Sequence, residues 1–207
     1  MSIIMAEVII YILNSVLVKE NYSSILAFVD EKRRLKAERF INEKERLLSL
    51  GAGYLLKKYL PDGEIKTNDN GKPYLDNGPY FNISHSENYV VLAIDSTYEV
   101  GVDIEKIDIK KEDAIRYVLN EQEKDIDDLN TLFQIWSNKE SIIKCVSTGL
   151  KDIKTVNGLP LNGVRNIEGE DYYTRSMIYE DYSLSITLKT NETINVVINR
   201  INNLENE

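Results

Sequence analysis

The sequence predicts an α+β protein of two similar halves, each running strand, helices, strands, with antiparallel sheets and packed helices. Three observations carry this reading. Apolar, β-branched runs bounded by turn residues recur at the start, the middle and the end of the chain. Two stretches, 31–60 and 129–147, place leucines and aromatics at helical spacing. The order of elements in 1–99 then repeats in 100–201, which suggests a structural duplication although no sequence repeat accompanies it. Residues 202–207 are polar and expected to fray.

Each element has a local cause. Residues 3–18 are strongly apolar, and Val8, Ile9, Ile10 and Ile12 favour a buried first strand. The stretch lacks the positive leading region of a signal peptide, carries Glu7 and Asn14, and is too short for a membrane helix. A short helical or loop segment at 21–30 follows. Helices are expected over 31–41 and 43–59; Gly51 and Gly53 in the second imply close packing against another backbone. Pro61 and the turn signals Asp62-Gly63, Asp69-Asn70-Gly71 and Asn77-Gly78-Pro79 break the chain into loops. A meander of strands at 80–84, 89–94 and 98–104 closes the first half, its first turn holding His85 to Asn88. Helical patterns return at 112–119 and 129–147, followed by a Lys-, Asn- and Gly-containing loop at 148–163. Strands at 172–179, 182–188 and 194–198 close the chain.

Bulk properties exclude several classes. With 43% hydrophobic and 29% charged residues the 207-residue chain reads as soluble and globular. A net charge of −9 disfavours a general nucleic-acid binder. One cysteine, Cys145, leaves no intramolecular disulfide and suits a reducing cytoplasm. A single histidine, His85, rules out sites that need several imidazoles, HExxH zinc hydrolases among them. The helix at 31–41 is basic within this acidic chain. Lys32, Arg33, Arg34, Lys36, Arg39, Lys44 and Arg46 outnumber Glu38, Glu43 and Glu45, which gives either a solvated face or a docking surface for phosphate or an acidic partner.

The chemistry centres on Val-Gly-Val-Asp-Ile-Glu at 100–105. Asp103 and Glu105 lie two apart on a strand, so both project from one face. Alone they read as a wet strand end. In 133–144, Trp136, Glu140 and Lys144 recur every four residues on one helical stripe. Alone, Glu140 and Lys144 read as a surface pair. Together, three carboxylates make a hard oxygen-donor site suited to Mg²⁺ and substrate phosphate oxygens, with His85, Lys72 and Lys144 as positive or donor groups. That set points to phosphoryl-type transfer.

Four motifs in order, Gly71-Lys72-Pro73-Tyr74, Phe81-Asn82-Ile83-Ser84-His85-Ser86, Gly101-Val102-Asp103-Ile104-Glu105 and Trp136-Ser137-Asn138-Lys139-Glu140-Ser141-Ile142-Ile143-Lys144, closely resemble the 4′-phosphopantetheinyl transferases. Length and two-half layout are similar to the surfactin-synthetase-activating (Sfp-like) type, a pseudo-dimer in one chain with its cleft between the halves. The resemblance implies transfer of 4′-phosphopantetheine from coenzyme A to a serine of an apo acyl or peptidyl carrier protein, releasing adenosine 3′,5′-bisphosphate. It implies Mg²⁺ held by Asp103, Glu105 and Glu140. Coenzyme A would be bound by Lys72, Ser84, His85 and Lys144, with Arg33, Lys36 and Arg46 as partners of its 3′-phosphate. The base is left among Glu140, Glu123 and a metal-bound water, and the family often has Ser or Thr where Asn120 stands and an aromatic at Leu119. A monomer without nucleic-acid or membrane partners is expected. The competing readings are another Mg²⁺-dependent phosphotransferase or nuclease on the same acids, and a non-catalytic carrier-binding homologue.

Overall fold

The computed structural model describes residues 5–147 and 153–204 of the chain. Two four-stranded sheets form its centre. The first holds β1 (Ala6–Asn14), β4 (Tyr80–Ser86), β5 (Tyr89–Asp95) and β10 (Ile194–Ile201), in the order β10-β1-β5-β4. The second holds β6 (Val100–Lys106), β7 (Asn162–Ile167), β8 (Glu170–Tyr179) and β9 (Tyr182–Leu188), in the order β6-β9-β8-β7. Neighbours are antiparallel except β1 and β10, which run parallel from Ala6 opposite Ile194 to Leu13 opposite Ile201. A small separate hairpin pairs β2 (Ile65–Thr67) with β3 (Pro73–Leu75).

Period-2 alternation sorts the strand side chains into layers. Val8, Ile10, Ile12, Val91 and Ala93 from the first sheet meet Val102, Ile104, Leu184 and Ile186 from the second in one buried core. Leu13, Phe81, Val90 and Leu92 face the other way. They pack under the helices α1 (Ser15–Glu20), α2 (Tyr22–Phe28), α3 (Glu31–Glu38) and α4 (Glu43–Tyr59). A short α5 (Glu112–Arg116) precedes α6 (Leu129–Val146), which covers the outer face of the second sheet. β5 and β9 are therefore covered on both faces, β9 buried along its whole length and β5 everywhere but at Ile94.

The contact between α6 and the sheet is made of hydroxyls. Ser137 Oγ lies 2.7 Å from both Ser183 Oγ and Ser185 Oγ, and Ser141 Oγ lies 2.8 Å from Thr187 Oγ1. Such short side chains let the helix approach closely, and Gly101 completes the fit. A Cβ at Gly101 would sit 2.0 Å from the carbonyl oxygen of Ser141 and 2.6 Å from the amide nitrogen of Cys145. Backbone atoms cannot yield as a side-chain tip would, so Gly101→Ala displaces α6. The expected cost is about 1–3 kcal/mol, read as a lowered Tm in thermal unfolding; an unchanged Tm would show that α6 has slack.

The mixed α+β class with packed helices agrees with the sequence reading. Several details differ. The first strand ends at Asn14, whose side chain accepts from Val16 N and starts α1. The 21–30 stretch is mostly the helix α2. β4 extends through Ser86, so His85 is a strand residue and the turn is Glu87–Asn88, with Glu87 at φ 51°. α3 and α5 stop short of 41 and 119. β7 was not anticipated, its exposed alternating residues giving little apolar signal. The last strand, expected with the second half, pairs instead with β1. Of the 148–163 loop, residues 148–152 lie outside the described residues. In the tail, 202–204 have no regular structure and 205–207 lie outside the described residues.

Candidate active site

The two sheets meet edge to edge where β4 runs beside β6. Alternate β4 side chains take the place of ladder hydrogen bonds. Asn82 Oδ1 accepts from Val102 N at 3.0 Å, Ser84 Oγ donates to Asp103 Oδ1 at 2.9 Å, and Ser86 Oγ donates to Glu105 Oε2 at 3.1 Å. Ser86 Oγ also accepts from Lys106 N at 3.1 Å. On β6, Val100, Val102 and Ile104 enter the core between the sheets, so Gly101, Asp103 and Glu105 face the α6 side. Asp103 and Glu105 do share one face, as their spacing predicted.

Helix α6 brings the third acid and a cation. Its N-cap is Asp128, which accepts from Thr131 N at 2.8 Å, and it ends at Ser147 in the left-handed region at φ 68°. Lys144 Nζ lies 2.6 Å from Asp103 Oδ1 and donates to Ser84 Oγ at 3.1 Å. Asp103 is 3% exposed and Glu140 7% exposed, and Asp103 Oδ2 and Glu140 Oε1 have no hydrogen-bond partner. Burial, then the Asp103 charge, pushes Glu140 up to about 7 from its usual 4.5, against the opposing pull of Lys144. Burial likewise lifts Asp103 to about 6, although Lys144 opposes it. Glu105 is half-buried and also accepts from Lys111 Nζ at 3.2 Å.

These oxygens fit a hard divalent cation in chemistry: they are carboxylates, two are buried, and each of those keeps one oxygen without a donor. They do not form a ready-made cage. Among the described residues, no three His, Cys, Asp or Glu side chains converge as a metal site. The Lys144 amine is the counter-ion beside Asp103.

A groove of about 280 Å³ opens on this cluster, lined by Gly71, Lys72, Asn82, Glu140, Lys144 and Ser147 among others. Lys72 Nζ donates to Cys145 O at 3.0 Å and pairs with Glu99 at 3.4 Å. It thereby satisfies a carbonyl at the C-terminal end of α6, where cations are favoured. Asn68 Nδ2 donates to Ser147 Oγ at 3.1 Å, a second link from the small hairpin to that helix end.

The remaining expected residues divide. His85 is exposed on β4, alternate to Ser84 and Ser86, and the charges acting on it are those of Glu45, Lys144, Glu105 and Lys36. Lys36 is exposed on α3 and Arg46 half-buried on α4. Arg33 lines a different cavity of about 200 Å³ with Lys57 and Gly53, and its stem fills the space a Cβ at Gly53 would need. Burial there holds its guanidinium below the ordinary value.

The structure does not bring Glu123 to the groove. It is 0% exposed and pairs with the equally buried Lys139 Nζ at 2.7 Å. Its oxygens also accept from Asn120 N at 2.9 Å and Gly158 N at 2.6 Å. A carboxylate so enclosed has no route to an incoming hydroxyl, which removes the geometric condition for a general base. Trp136 is likewise a packing residue, wedged between the Ile115–Leu132–Phe133 and Val118–Ile143–Ile153 clusters. Sequence reasoning missed Asn82 and Ser86 as the stitches to β6. The alternation Asn82, Ser84, Ser86 would have shown them on one face. It also missed the Lys139–Glu123 pair, which has no spacing signature, since its partners are sixteen residues apart across a turn.

Residues 99–189, which run from the start of β6 to the end of β9, match the 4′-phosphopantetheinyl transferase superfamily. The 4′-phosphopantetheinyl transferase gsp of Aneurinibacillus migulanus is 34% identical over 137 residues, 59% of this chain and 57% of that protein. The 4′-phosphopantetheinyl transferase Sfp of Bacillus subtilis (strain 168) is 29% identical over 149 residues, 64% of this chain and 66% of that protein. The transferase ffp of Bacillus subtilis is 31% identical over the same length and shares. The chain thus spans between 57% and 66% of these curated relatives.

Proposed function

We propose, on the premise that this chain is a relative of the Sfp-like 4′-phosphopantetheinyl transferases, that it transfers 4′-phosphopantetheine from coenzyme A to a serine of an apo carrier protein. One observation carries the reading. Asp103 and Glu140 are buried acids with unpartnered oxygens, set beside Lys144 at the end of a groove. Nothing in a purely structural role requires two desolvated carboxylates to repel each other there.

In this reading Asp103, Glu105 and Glu140 would hold Mg²⁺, and the donor chemistry described above fits it. When bound, the ion supplies charge neutralisation on the coenzyme A diphosphate. The protein's own groups do the rest. Lys144 and Lys72 line the groove and meet the phosphate oxygens, with Ser84 between Lys144 and Asp103. His85 and Lys36, close enough to act on each other's charge, suit the 3′-phosphate, with half-buried Arg46 on α4 as a further candidate, whereas Arg33 lies in the separate cavity at Gly53. Glu140, which keeps one oxygen without a partner, takes the proton of the carrier serine. The serine oxygen then bonds to phosphorus, and the diphosphate P–O bond breaks to release adenosine 3′,5′-bisphosphate. Glu123 and Lys139 position α6 and do not touch substrate.

In this reading the chain is a pseudo-dimer of two helix-covered sheets with its cleft at the β4–β6 junction, the second half lending its last strand, β10, to the first sheet. The basic α3 gives an acidic carrier a place to dock. The reading takes the protein as a cytoplasmic monomer; no helix among the described residues is long and apolar enough to cross a membrane.

Incubation with coenzyme A, Mg²⁺ and a panel of apo acyl and peptidyl carriers tests this directly. The expected result is a mass gain of one phosphopantetheine on at least one carrier, at its serine. Unchanged mass across the panel, with a known transferase active alongside, would overturn the reading.

A further inference from the structure

Lys144 occupies an odd position for a residue that is to meet phosphate. Its amine is already committed, 2.6 Å from Asp103 Oδ1 and 3.1 Å from Ser84 Oγ. Asp103 presents its other oxygen without any donor, and so does Glu140 one turn before Lys144 on the same helix. The acid is 4% exposed in its side chain, whereas the lysine is 28% exposed and lines the groove. One partner is therefore fixed and the other can swing. Ser84 Oγ bridges the two, donating to the carboxylate while accepting from the amine, so it keeps Asp103 in place if the amine leaves. A similar but looser pair stands next to it, where Lys111, 44% exposed in its side chain, reaches Glu105.

We propose that Lys144 is an exchangeable counter-ion, which gives up Asp103 to a divalent cation and carries its charge to the anionic co-substrate, so that the two ligands favour each other's binding. The inference rests on the proposed function, because it needs both a cation and a diphosphate in the groove. Its physical basis is competition. An ammonium on Oδ1 and a divalent cation on the free Oδ2 of one buried carboxylate repel each other strongly, and burial leaves that repulsion poorly screened. A diphosphate gives the displaced amine a new anionic partner. By linkage, each ligand then raises the affinity of the other by the same factor.

The expectation runs against intuition: a residue needed for transfer opposes metal binding. Mn²⁺ is the probe, titrated by electron paramagnetic resonance with and without coenzyme A. In Lys144→Met, Mn²⁺ binds on the order of tenfold more tightly than in the parent without coenzyme A, and the gain coenzyme A gives the parent falls toward none. Lys144→Arg, which keeps the charge, behaves as the parent. Lys111→Met shows a smaller tightening, because its pair is more exposed. Far-ultraviolet circular dichroism confirms that each variant is folded, and Lys144→Gln replaces Lys144→Met if the latter is not. Equal or weaker Mn²⁺ binding in the neutral variants, with carrier transfer by the parent intact, overturns the exchange and leaves the proposed function standing. Absence of Mn²⁺ binding by the parent, with and without coenzyme A, overturns both.

Discussion

Replacing Glu140 by Gln abolishes carrier modification while the protein stays folded and gains heat stability. The side chain is isosteric, so α6 keeps its packing, but the charge that burial and Asp103 disfavour is gone. Loss of a general base alone costs about 10²–10⁴-fold, and the same change removes one of the carboxylates assigned to the cation. Stability moves the other way for a reason visible in the pH profile. A carboxylate whose folded pKa is raised binds protons more tightly in the folded state, so its effect on stability turns unfavourable as pH rises past its unfolded value. For Glu140 that window runs from about 4.5 to about 7. Without added divalent cation, the parent therefore loses stability across that range. Glu140→Gln shows a flatter profile, and its Tm lies above the parent's at pH 8. Transfer is read by mass on the carrier, and stability by thermal unfolding at a series of pH values. Parent-like transfer by the purified variant would remove Glu140 from the chemistry.

Asp103, Glu105 and Glu140 could be singled out because strand and helix periods are rigid: two-residue spacing puts acids on one face, and four-residue spacing puts Glu140 next to Lys144. Those rules are local, and the structure obeys them. What the rules cannot supply is which element lies opposite. Nothing in the spacing of Ser84 and Ser86 says that β4 and β6 belong to different sheets and join edge to edge through side chains. Nor does the last strand announce that it crosses back to pair with β1. The first half of the basic run misled in another way. Arg33 and Lys36 are one turn apart and chemically alike, yet Arg33 is drawn into the gap above Gly53 by its apolar stem while Lys36 faces the solvent near His85. Charge alone does not distinguish them; the missing Cβ of a residue on the neighbouring helix does.

Glu123→Gln is expected to destabilise the fold severely and to leave the chemistry of the surviving folded protein almost unchanged. The carboxylate and Lys139 are both 0% exposed and lie 2.7 Å apart. The lysine also donates to Val118 O at 2.9 Å, and the glutamate accepts from the amides of Asn120 and Gly158. The pair thus ties the turn after α5, the middle of α6 and the 153–158 loop into one unit. Removing the negative member strands an ammonium in an apolar interior, a change that typically costs about 3–5 kcal/mol, or about 10 °C in Tm for a chain of this size. Neutralising both members is far milder, because no buried charge is left over, so Glu123→Gln combined with Lys139→Met recovers at least half of the lost stability in urea titrations. The same variants settle the choice between the two glutamates. Measured well below its own Tm, Glu123→Gln keeps kcat within a few-fold of the parent, since its effect reaches Glu140 only through the seating of α6. A loss of kcat as deep as that of Glu140→Gln, at a temperature where the variant is folded, would return Glu123 to the role of base and require the 118–123 turn to open during turnover.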